Sequence, residues 1–319
     1  MILKNQKQII KNMKYLKLIR YKNLLLLAFM QLIFCFGFLK LEKIDLSLAN
    51  WQFILLVLST VCIAAGGYII NNIMDQDSDL ENKPLNVVVG VSISETRAYN
   101  LYIGFTLVGV CIGYYLSNVI MRPSFLLVFI LPSALLYIYA TSLKQIMIIG
   151  NIVVASMLSF SIIIIGLFMI FPATFDGNLE KMRIVFSILI DYAIIAFIIN
   201  FIREIVKDLE DINGDSLQGM KTLPIVFGEG KTRKLVFSLG FLPIFLILYY
   251  VYNYLFQLQY ATFYILGFII GPLLYFIMKI WTAKNKNDYH NLSNVLKSIV
   301  FFGILSIMII ALNKLYYVA

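Results

Sequence analysis

Nine long apolar runs are the feature of this sequence that most limits how it can fold. They lie at roughly 23–41, 52–74, 99–120, 124–141, 146–171, 183–205, 235–256, 261–281 and 295–316. Each run is about 18 to 25 residues long, which is the helix length needed to cross a bilayer. Hydrophobic residues make up 61% of the chain and charged residues only 13%, a composition that excludes a soluble domain. We therefore predict an all-α integral membrane protein with about nine transmembrane helices.

The basic residues indicate how these helices are oriented. If the N-terminus is cytoplasmic, 20 of the 26 Lys and Arg side chains lie on the cytoplasmic side, as the positive-inside rule requires. Residues 1–22 form a basic cytoplasmic arm that resembles an amphipathic helix on an anionic lipid surface. Residues 23–319 are expected to form a single transmembrane domain. Since membrane flanks explain the net charge of +9, we expect the lipid bilayer as a partner and no nucleic acid.

Acidic side chains are concentrated in two short segments, each at the end of an apolar run. Of the 17 Asp and Glu residues, four lie in 75–81 and five in 204–215. The predicted topology places both segments at cytoplasmic ends, of the second and the sixth helix. Spacings of three and four residues would put most members on one helix face. These are Asn71, Asp75 and Asp79 in the first segment, and Glu204, Asp208, Asp211 and Asp215 in the second. Asp77 and Glu210 are expected to be solvated loop charges.

Such clusters do not favour stability, because a helix C-terminus already carries a negative dipole and like charges repel. A bound cation would relieve both effects. The three cysteines, Cys35, Cys62 and Cys111, show no ligand-like spacing, and the single histidine, His290, is expected in a polar loop. Oxygen ligands alone favour a hard ion, and Mg²⁺ is the usual one. Because Mg²⁺ is commonly held by one or two carboxylates and by substrate phosphates, we predict a diphosphate-binding site.

At these residues the chain resembles the UbiA superfamily of intramembrane prenyltransferases. The first motif of that family matches Asn71, Asn72, Asp75 and Asp79, and the second matches Asp208, Asp211 and Asp215. The string "REIVKDLEDINGD" followed by "KTLPIVFG" is similar to the digeranylgeranylglyceryl-phosphate synthase-like branch. The resemblance covers the whole chain. It departs at Asn72, where the family usually has an aspartate, and in a looser spacing between Lys144 and the tyrosines before it.

The resemblance implies a UbiA-like arrangement of nine helices around a central prenyl-diphosphate pocket, with the active site on the cytoplasmic side. It implies transfer of a prenyl group from a polyprenyl diphosphate, such as geranylgeranyl diphosphate, to a small or lipid-like acceptor that the sequence does not identify. The implied Mg²⁺ ligands are Asn72, Asp75, Asp79, Asp208, Asp211 and Asp215. The implied contacts to the diphosphate are Lys83, Lys144, Lys207 and Asn71. Tyr137, Tyr139 and Lys144 are the candidate catalytic residues, with a tyrosine ring facing the allylic cation.

Two other functions are compatible with the sequence. A polytopic transporter also carries carboxylates within its helices, although transporter sites usually lie near the bilayer midplane and these clusters lie at helix ends. A family member that binds prenyl lipids without turnover is the second alternative. Asn72 keeps that alternative open, because it removes one negative charge from the implied metal site.

Overall fold

The computed structural model describes residues 14–82, 84 and 87–318. Within this part of the chain, nine helices are long and apolar enough to cross a membrane, as predicted. In chain order they are α1 Tyr21–Leu39, α2 Asn50–Met74, α3 Glu95–Val119, α4 Pro123–Thr141, α5 Ile149–Ala173, α6 Leu179–Glu210, α7 Glu229–Leu255, α8 Gln259–Thr282 and α9 Lys286–Tyr316. Shorter helices cover Gln76–Asn82, Ile212–Leu217 and Leu223–Phe227. The same residues contain no β-strand, so the all-α prediction is confirmed.

Several helices continue beyond the apolar runs that predicted them. The sixth run ends near residue 205, but α6 reaches Glu210, and α9 begins at Lys286, well before residue 295. Adding a residue to an existing helix is easy once the helix is nucleated, so polar turns extend it. As a result His290 lies in α9, and its predicted place in a loop is wrong.

Both acidic segments interrupt their helices at an aspartate. Asp75 follows the last residue of α2 with φ −96° and ψ 10°, and Asp211 follows α6 with φ −104° and ψ 11°. These values lie between the helical and extended regions, where a regular helix cannot continue. Asp79 and Asp215 therefore lie on separate short helices, so the face that Asn71 and Asp75 share does not continue to Asp79 within one helix.

The chain divides into two compact units. Unit 1 contains the described part of Met1–Phe29, together with Leu48–Gln145 and Asn213–Gly219. Unit 2 contains Met30–Ser47, Ile146–Ile212 and Met220–Ala319. The second acidic motif is divided by this boundary, because Asp208 and Asp211 belong to unit 2 and Asp215 to unit 1. The predicted arm, residues 1–22, is described only from residue 14, and a single domain over 23–319 stays a prediction.

In unit 1, α3 packs against α2 and α4 at positions where α3 has a glycine. A β-carbon on Gly109 of α3 would lie 2.7 Å from the Ile63 side chain and 3.0 Å from the Ser59 carbonyl oxygen of α2. At the same place the Ser59 hydroxyl donates a hydrogen bond of 2.7 Å to the Gly109 carbonyl. A β-carbon on Gly113 would lie 2.4 Å from the Phe129 ring of α4. Small residues thus fix the helix spacing, as is common within membranes.

In unit 2, α6 is the central helix and packs against α5, α7 and α9. Its buried side chains join an apolar core with those of α7, α8 and α9, including Ile202, Ile205, Leu273 and Phe276. Close packing of this core holds the end of α6, and therefore Asp208, in place.

Candidate active site

The carboxylate of Asp75 is held by a cation and an amide in unit 1. Lys144 donates from Nζ to Oδ1 of Asp75, and Asn71 donates from Nδ2 to Oδ2 at 2.5 Å. Lys144 lies in the short 3₁₀ turn Leu143–Gln145 that follows α4, and its side chain is only 9% exposed. The two predicted residues Asp75 and Lys144 are thus brought into direct contact although they lie 69 positions apart.

The charge of Lys144 is governed by its surroundings. Burial lowers the pKa of this lysine to about 8, the nearby Asp215 carboxylate opposes that shift, and the positive charge of Arg20 adds to it. Lys144 is therefore protonated at neutral pH. Asp215 acts on Lys144 from the second acidic motif, which agrees with its place in unit 1. Arg20 was not among the predicted site residues.

Asn71 leaves one acceptor available beside Asp75. Its Nδ2 donates to the carboxylate, while its Oδ1 is buried and accepts no hydrogen bond. Buried polar atoms are nearly always satisfied in native proteins, so this oxygen requires an explanation. A metal ion, or a donor on a bound substrate, would satisfy it.

Asn72 has different contacts from Asn71. Its Nδ2 donates 2.9 Å to the Leu18 carbonyl oxygen and 2.8 Å to the Tyr68 carbonyl oxygen. Both acceptors are main-chain oxygens, so the side-chain atom between them must be a donor. The amide nitrogen of Asn72 is thereby committed to the backbone.

The candidate tyrosines lie on the last turns of α4. Tyr137 is 44% exposed, and its ring stacks on Tyr102 of α3 with 6.2 Å between centroids. Tyr139 is half-buried. Two positions along a helix correspond to a rotation of about 200°, so at most one of these rings faces a given substrate. The predicted diphosphate contact Lys83 lies outside the described residues.

In unit 2, carboxylates at the end of α6 accept hydrogen bonds from an amide and form ion pairs with basic side chains. Asn151 of α5 donates 2.8 Å to Oδ2 of Asp208. Lys207 donates to both oxygens of the buried Glu204, at 2.8 and 3.1 Å, and Arg203 Nη1 lies 3.4 Å from Oε1 of the same residue. Asn151 was not predicted, although an amide within the apolar run "IIGNIVVA" is the kind of signal that identifies such a residue.

Glu210 and His290 form a further contact at this helix end. Oε1 of Glu210 lies 3.1 Å from Nδ1 of His290 in α9. The Glu210 side chain is 6% exposed and the histidine side chain 59%. Glu210 is therefore not the solvated loop charge that its position predicted. The prediction failed because α6 continues to Glu210 and α9 begins early enough to cover it.

The donor chemistry at the two helix ends fits Mg²⁺ bound together with phosphate. Asp75 and Asn71 in unit 1, and Asp208 in unit 2, offer only oxygen ligands, which a hard ion prefers. In the part of the chain that the structure describes, no group of three or more His, Cys, Asp or Glu side chains could hold a metal ion. Since Mg²⁺ usually takes one or two carboxylates and completes its shell with water and phosphate oxygens, these ends suit an ion that arrives with a phosphorylated substrate.

Two proteins similar in sequence to this chain are digeranylgeranylglyceryl phosphate synthases. The protein from Saccharolobus solfataricus is 34% identical over 215 residues, which cover 65% of this chain and 70% of that protein. The protein from Korarchaeum cryptofilum is 29% identical over 265 residues, which cover 82% of this chain and 87% of that protein.

Solved structures show the same fold. A digeranylgeranylglyceryl phosphate synthase structure aligns with a TM-score of 0.62 and 22% identity, over 94% of this chain and 98% of that one. A UbiA homologue from Archaeoglobus fulgidus bound to DMAPP and Mg²⁺ aligns with a TM-score of 0.61 and 19% identity, over 92% and 99%. The model of the UbiA prenyltransferase family matches residues 23–307. Because that match spans most of the sequence, this chain belongs to the UbiA prenyltransferase family.

Proposed function

We propose that this chain carries out Mg²⁺-dependent transfer of a polyprenyl group to a glycerol-phosphate-type alcohol within the membrane. The observation that carries the proposal is the contact of Asp75 with Lys144 and Asn71, which joins a carboxylate, a buried cation and an unsatisfied acceptor. Family membership decides between a prenyltransferase and a transporter. The names of the two relatives support an acceptor that already carries one prenyl ether and a phosphate.

Four carboxylates are the proposed metal ligands. Asp75 and Asp79 at the end of α2 would hold Mg²⁺, and so would Asp208 and Asp211 at the end of α6. When bound, Mg²⁺ neutralises the charge that develops on the departing diphosphate. Asn72 and Asp215 were predicted as further ligands. The contacts of Asn72 with two carbonyl oxygens favour a structural role, and Asp215 is close enough to Lys144 to act on its charge.

Lys144 supplies a second positive charge for the diphosphate. In the structure its ammonium group donates to Asp75, so a metal ion at that carboxylate would release the lysine toward the phosphate oxygens. Burial strengthens this interaction, because the effective dielectric constant is lower away from bulk water. Lys207 is a weaker candidate, since its ammonium group already donates to both oxygens of Glu204.

The transfer itself breaks one bond and forms another. The C1–O bond breaks and its electron pair leaves with the diphosphate, the acceptor oxygen bonds to C1, and the hydroxyl proton passes to the released diphosphate. Tyr137 or Tyr139 would face the allylic cation with its π surface, which stabilises a desolvated cation by about 2 kcal/mol. An apolar pocket would exclude the water that otherwise captures the cation.

The proposed orientation places the N-terminus and the ends of α2 and α6 on the cytoplasmic side. The distribution of Lys and Arg supports this orientation. A cysteine introduced at Asn213, in a variant lacking the three native cysteines, should react with impermeant reagents from the cytoplasmic side only. Reaction from the outer side would refute the proposed orientation.

The test of the activity uses membranes that contain the protein, labelled geranylgeranyl diphosphate and Mg²⁺. Acceptors are offered in parallel: a prenylated glyceryl phosphate, its dephosphorylated form, and an aromatic acid. We expect a product of the added prenyl mass with the phosphorylated glycerol acceptor, and none when EDTA removes the metal. Product formed in EDTA would overturn the metal role, and transfer to the aromatic acid alone would overturn the acceptor class.

A further inference from the structure

The first turns of α9 precede its apolar run and bond to the end of α6 within unit 2. Oε1 of Glu210 lies 3.1 Å from Nδ1 of His290, and Arg203 Nε donates 3.3 Å to the Ser293 carbonyl oxygen. Since an ionised carboxylate can only accept, Nδ1 of the histidine carries the hydrogen. The start of α9 thus bonds to α6 at two levels, about 10 Å apart along that helix.

These bonds continue a pairing of α6 with α9 that begins deeper in the membrane. There the hydroxyl groups of Tyr192 and Ser306 lie 2.8 Å apart. Between the hydroxyl pair and the helix ends, Leu296 of α9 and Leu209 of α6 belong to the same apolar core. The contacts follow opposite orders along the two helices, so the helices are antiparallel. His290 therefore meets the last residue of α6.

The last turn of α6 needs such support, because the helix is interrupted where it carries the acidic motif. Helix termini are the parts that open most readily. Glu210 stands between Asp208 and Asp211 in the sequence, and its side chain is only 6% exposed. Carboxylates within one turn of a helix C-terminus repel each other and the helix dipole. The hydrogen bond from His290 offsets part of this cost at Glu210.

We propose that His290 is a positioning residue: by bonding Glu210, it holds the last turn of α6 so that Asp208 and Asp211 stay in place to bind Mg²⁺. The inference rests on the proposed function for these two metal ligands. Asn151 of α5 donates to Asp208 directly, so α5 and α9 both support this turn. His290 itself is not a metal ligand in this arrangement, and it acts through Glu210.

Backbone hydrogen exchange tests the order of this turn without turnover. The Asp211 amide donates 2.9 Å to the Lys207 carbonyl oxygen and reports the last turn of α6. His290→Leu removes the side-chain donor, so we expect exchange of that amide to rise about three- to tenfold. His290→Asn should restore slow exchange, because an asparagine Nδ2 can donate from the place of the histidine Nδ1. Unchanged exchange in His290→Leu would overturn the role of His290.

The matched control is Asn291→Leu, which introduces the same side chain at the next position of α9, where the residue is exposed. Exchange of the Asp211 amide in this variant should equal that of the wild type. An increase as large as that in His290→Leu would mean that any leucine in this turn disturbs α9, and it would overturn the assignment to the bond with Glu210.

Mg²⁺ titrations of prenyl transfer separate positioning from general stability. In His290→Leu the half-maximal Mg²⁺ concentration should rise about threefold or more, and His290→Asn should lie near the wild type. Tyr289→Phe is the comparison, because Tyr289 in the same turn donates 2.6 Å to Glu229 of α7. It should lower the unfolding temperature while changing the Mg²⁺ requirement less than about twofold. Equal shifts of the Mg²⁺ requirement in the two variants would overturn the positioning role.

Glu210→Gln decides whether Glu210 binds the metal itself. Glutamine keeps an oxygen that accepts from His290 but loses the charge, so positioning predicts a nearly unchanged Mg²⁺ requirement. A rise as large as that in Asp208→Asn would assign Glu210 to the metal and overturn the proposal. If the wild type transfers no prenyl group, the proposed function fails, while exchange of the Asp211 amide still decides the role of His290.

Discussion

The ends of α2 and α6 share a backbone design and differ in how their carboxylates are held. Each helix stops at an aspartate with ψ near 10°, and a short helix follows at once. At the end of α2 the carboxylate of Asp75 receives the ammonium of Lys144, whereas at the end of α6 Asp208 receives the neutral amide of Asn151. In the proposed site a metal ion would compete with Lys144 for Asp75, whereas the Asn151 amide carries no charge that would compete with the ion at Asp208.

Because of this difference, we expect the ends of α2 and α6 to contribute to metal binding in different ways. In the proposed site, exchange of Lys144 for Mg²⁺ at Asp75 would raise the positive charge beside the carboxylate from +1 to +2, and it would free a lysine to bind phosphate. The amide of Asn151 donates to Asp208 and adds no charge, so it would orient Asp208 as a proposed metal ligand. The α2 end is thus expected to be sensitive to charge, and the α6 end to geometry.

The largest effect is expected at the charge-sensitive end. Asp75→Asn removes the carboxylate that we propose binds Mg²⁺ and takes away the acceptor of Lys144, so kcat should fall about 100-fold or more. The measurement is prenyl transfer over a range of Mg²⁺ concentrations. Asp77→Asn, a change at an exposed carboxylate of the adjacent short helix, is the control and should be almost unchanged. Full activity of Asp75→Asn would remove the α2 end from the metal site.

Substitutions of Lys144 and Lys207 compare how strongly the two helix ends bind the prenyl diphosphate. Lys144→Met should raise the KM for the prenyl diphosphate about tenfold or more, because a hydrogen bond to a charged group contributes about 1.5–3 kcal/mol. Lys207→Met should change it only a few-fold, since that lysine is engaged by Glu204. Steady-state kinetics at saturating acceptor measure both. A larger effect at Lys207 would reverse the assignment of the diphosphate cation.

Removing the support at Asp208 should produce an intermediate effect. In Asn151→Leu the half-maximal Mg²⁺ concentration should rise about tenfold, as is typical for a residue that orients a metal ligand. Asn253→Leu is a suitable comparison in the same unit, because Asn253 is exposed and bonds along its own helix to the Tyr249 carbonyl. Equal Mg²⁺ curves for the two variants would mean that Asn151 does not support a metal ligand.

The smallest expected effect is on pH dependence. Since the pKa of Lys144 is lowered to about 8, the charged form that binds anions is lost as the pH rises through that value. Values of kcat/KM for the prenyl diphosphate should therefore fall about twofold by pH 8 and then level off at a total loss no larger than that of Lys144→Met. In Arg20→Gln the falling limb should move to higher pH, because Arg20 contributes to the lowered pKa. Lys144→Arg, whose side chain stays charged, should lack the limb; an identical limb in that variant would assign it to another group.

Local patterns predicted the helices and the acidic ends, because hydrophobicity and charge are properties of neighbouring residues. The breaks at Asp75 and Asp211 were missed, since periodic spacing alone does not reveal where a helix stops. Contacts between segments that are distant in the sequence could not be predicted from local patterns either. Nothing near Asn72 shows that its amide meets Leu18, 54 residues earlier, and nothing near Glu210 indicates that His290 covers it.

Because of the contact between Gly113 and Phe129, the residue tolerated at one of these positions depends on the residue at the other. A β-carbon at residue 113 would lie 2.4 Å from the Phe129 ring, too close for any side chain. A larger residue at 113 is therefore acceptable only in a lineage where residue 129 has already become smaller, and the reverse order passes through a poorly folded ancestor. Among homologous sequences the two positions should vary together, with phenylalanine at 129 found only where 113 is glycine.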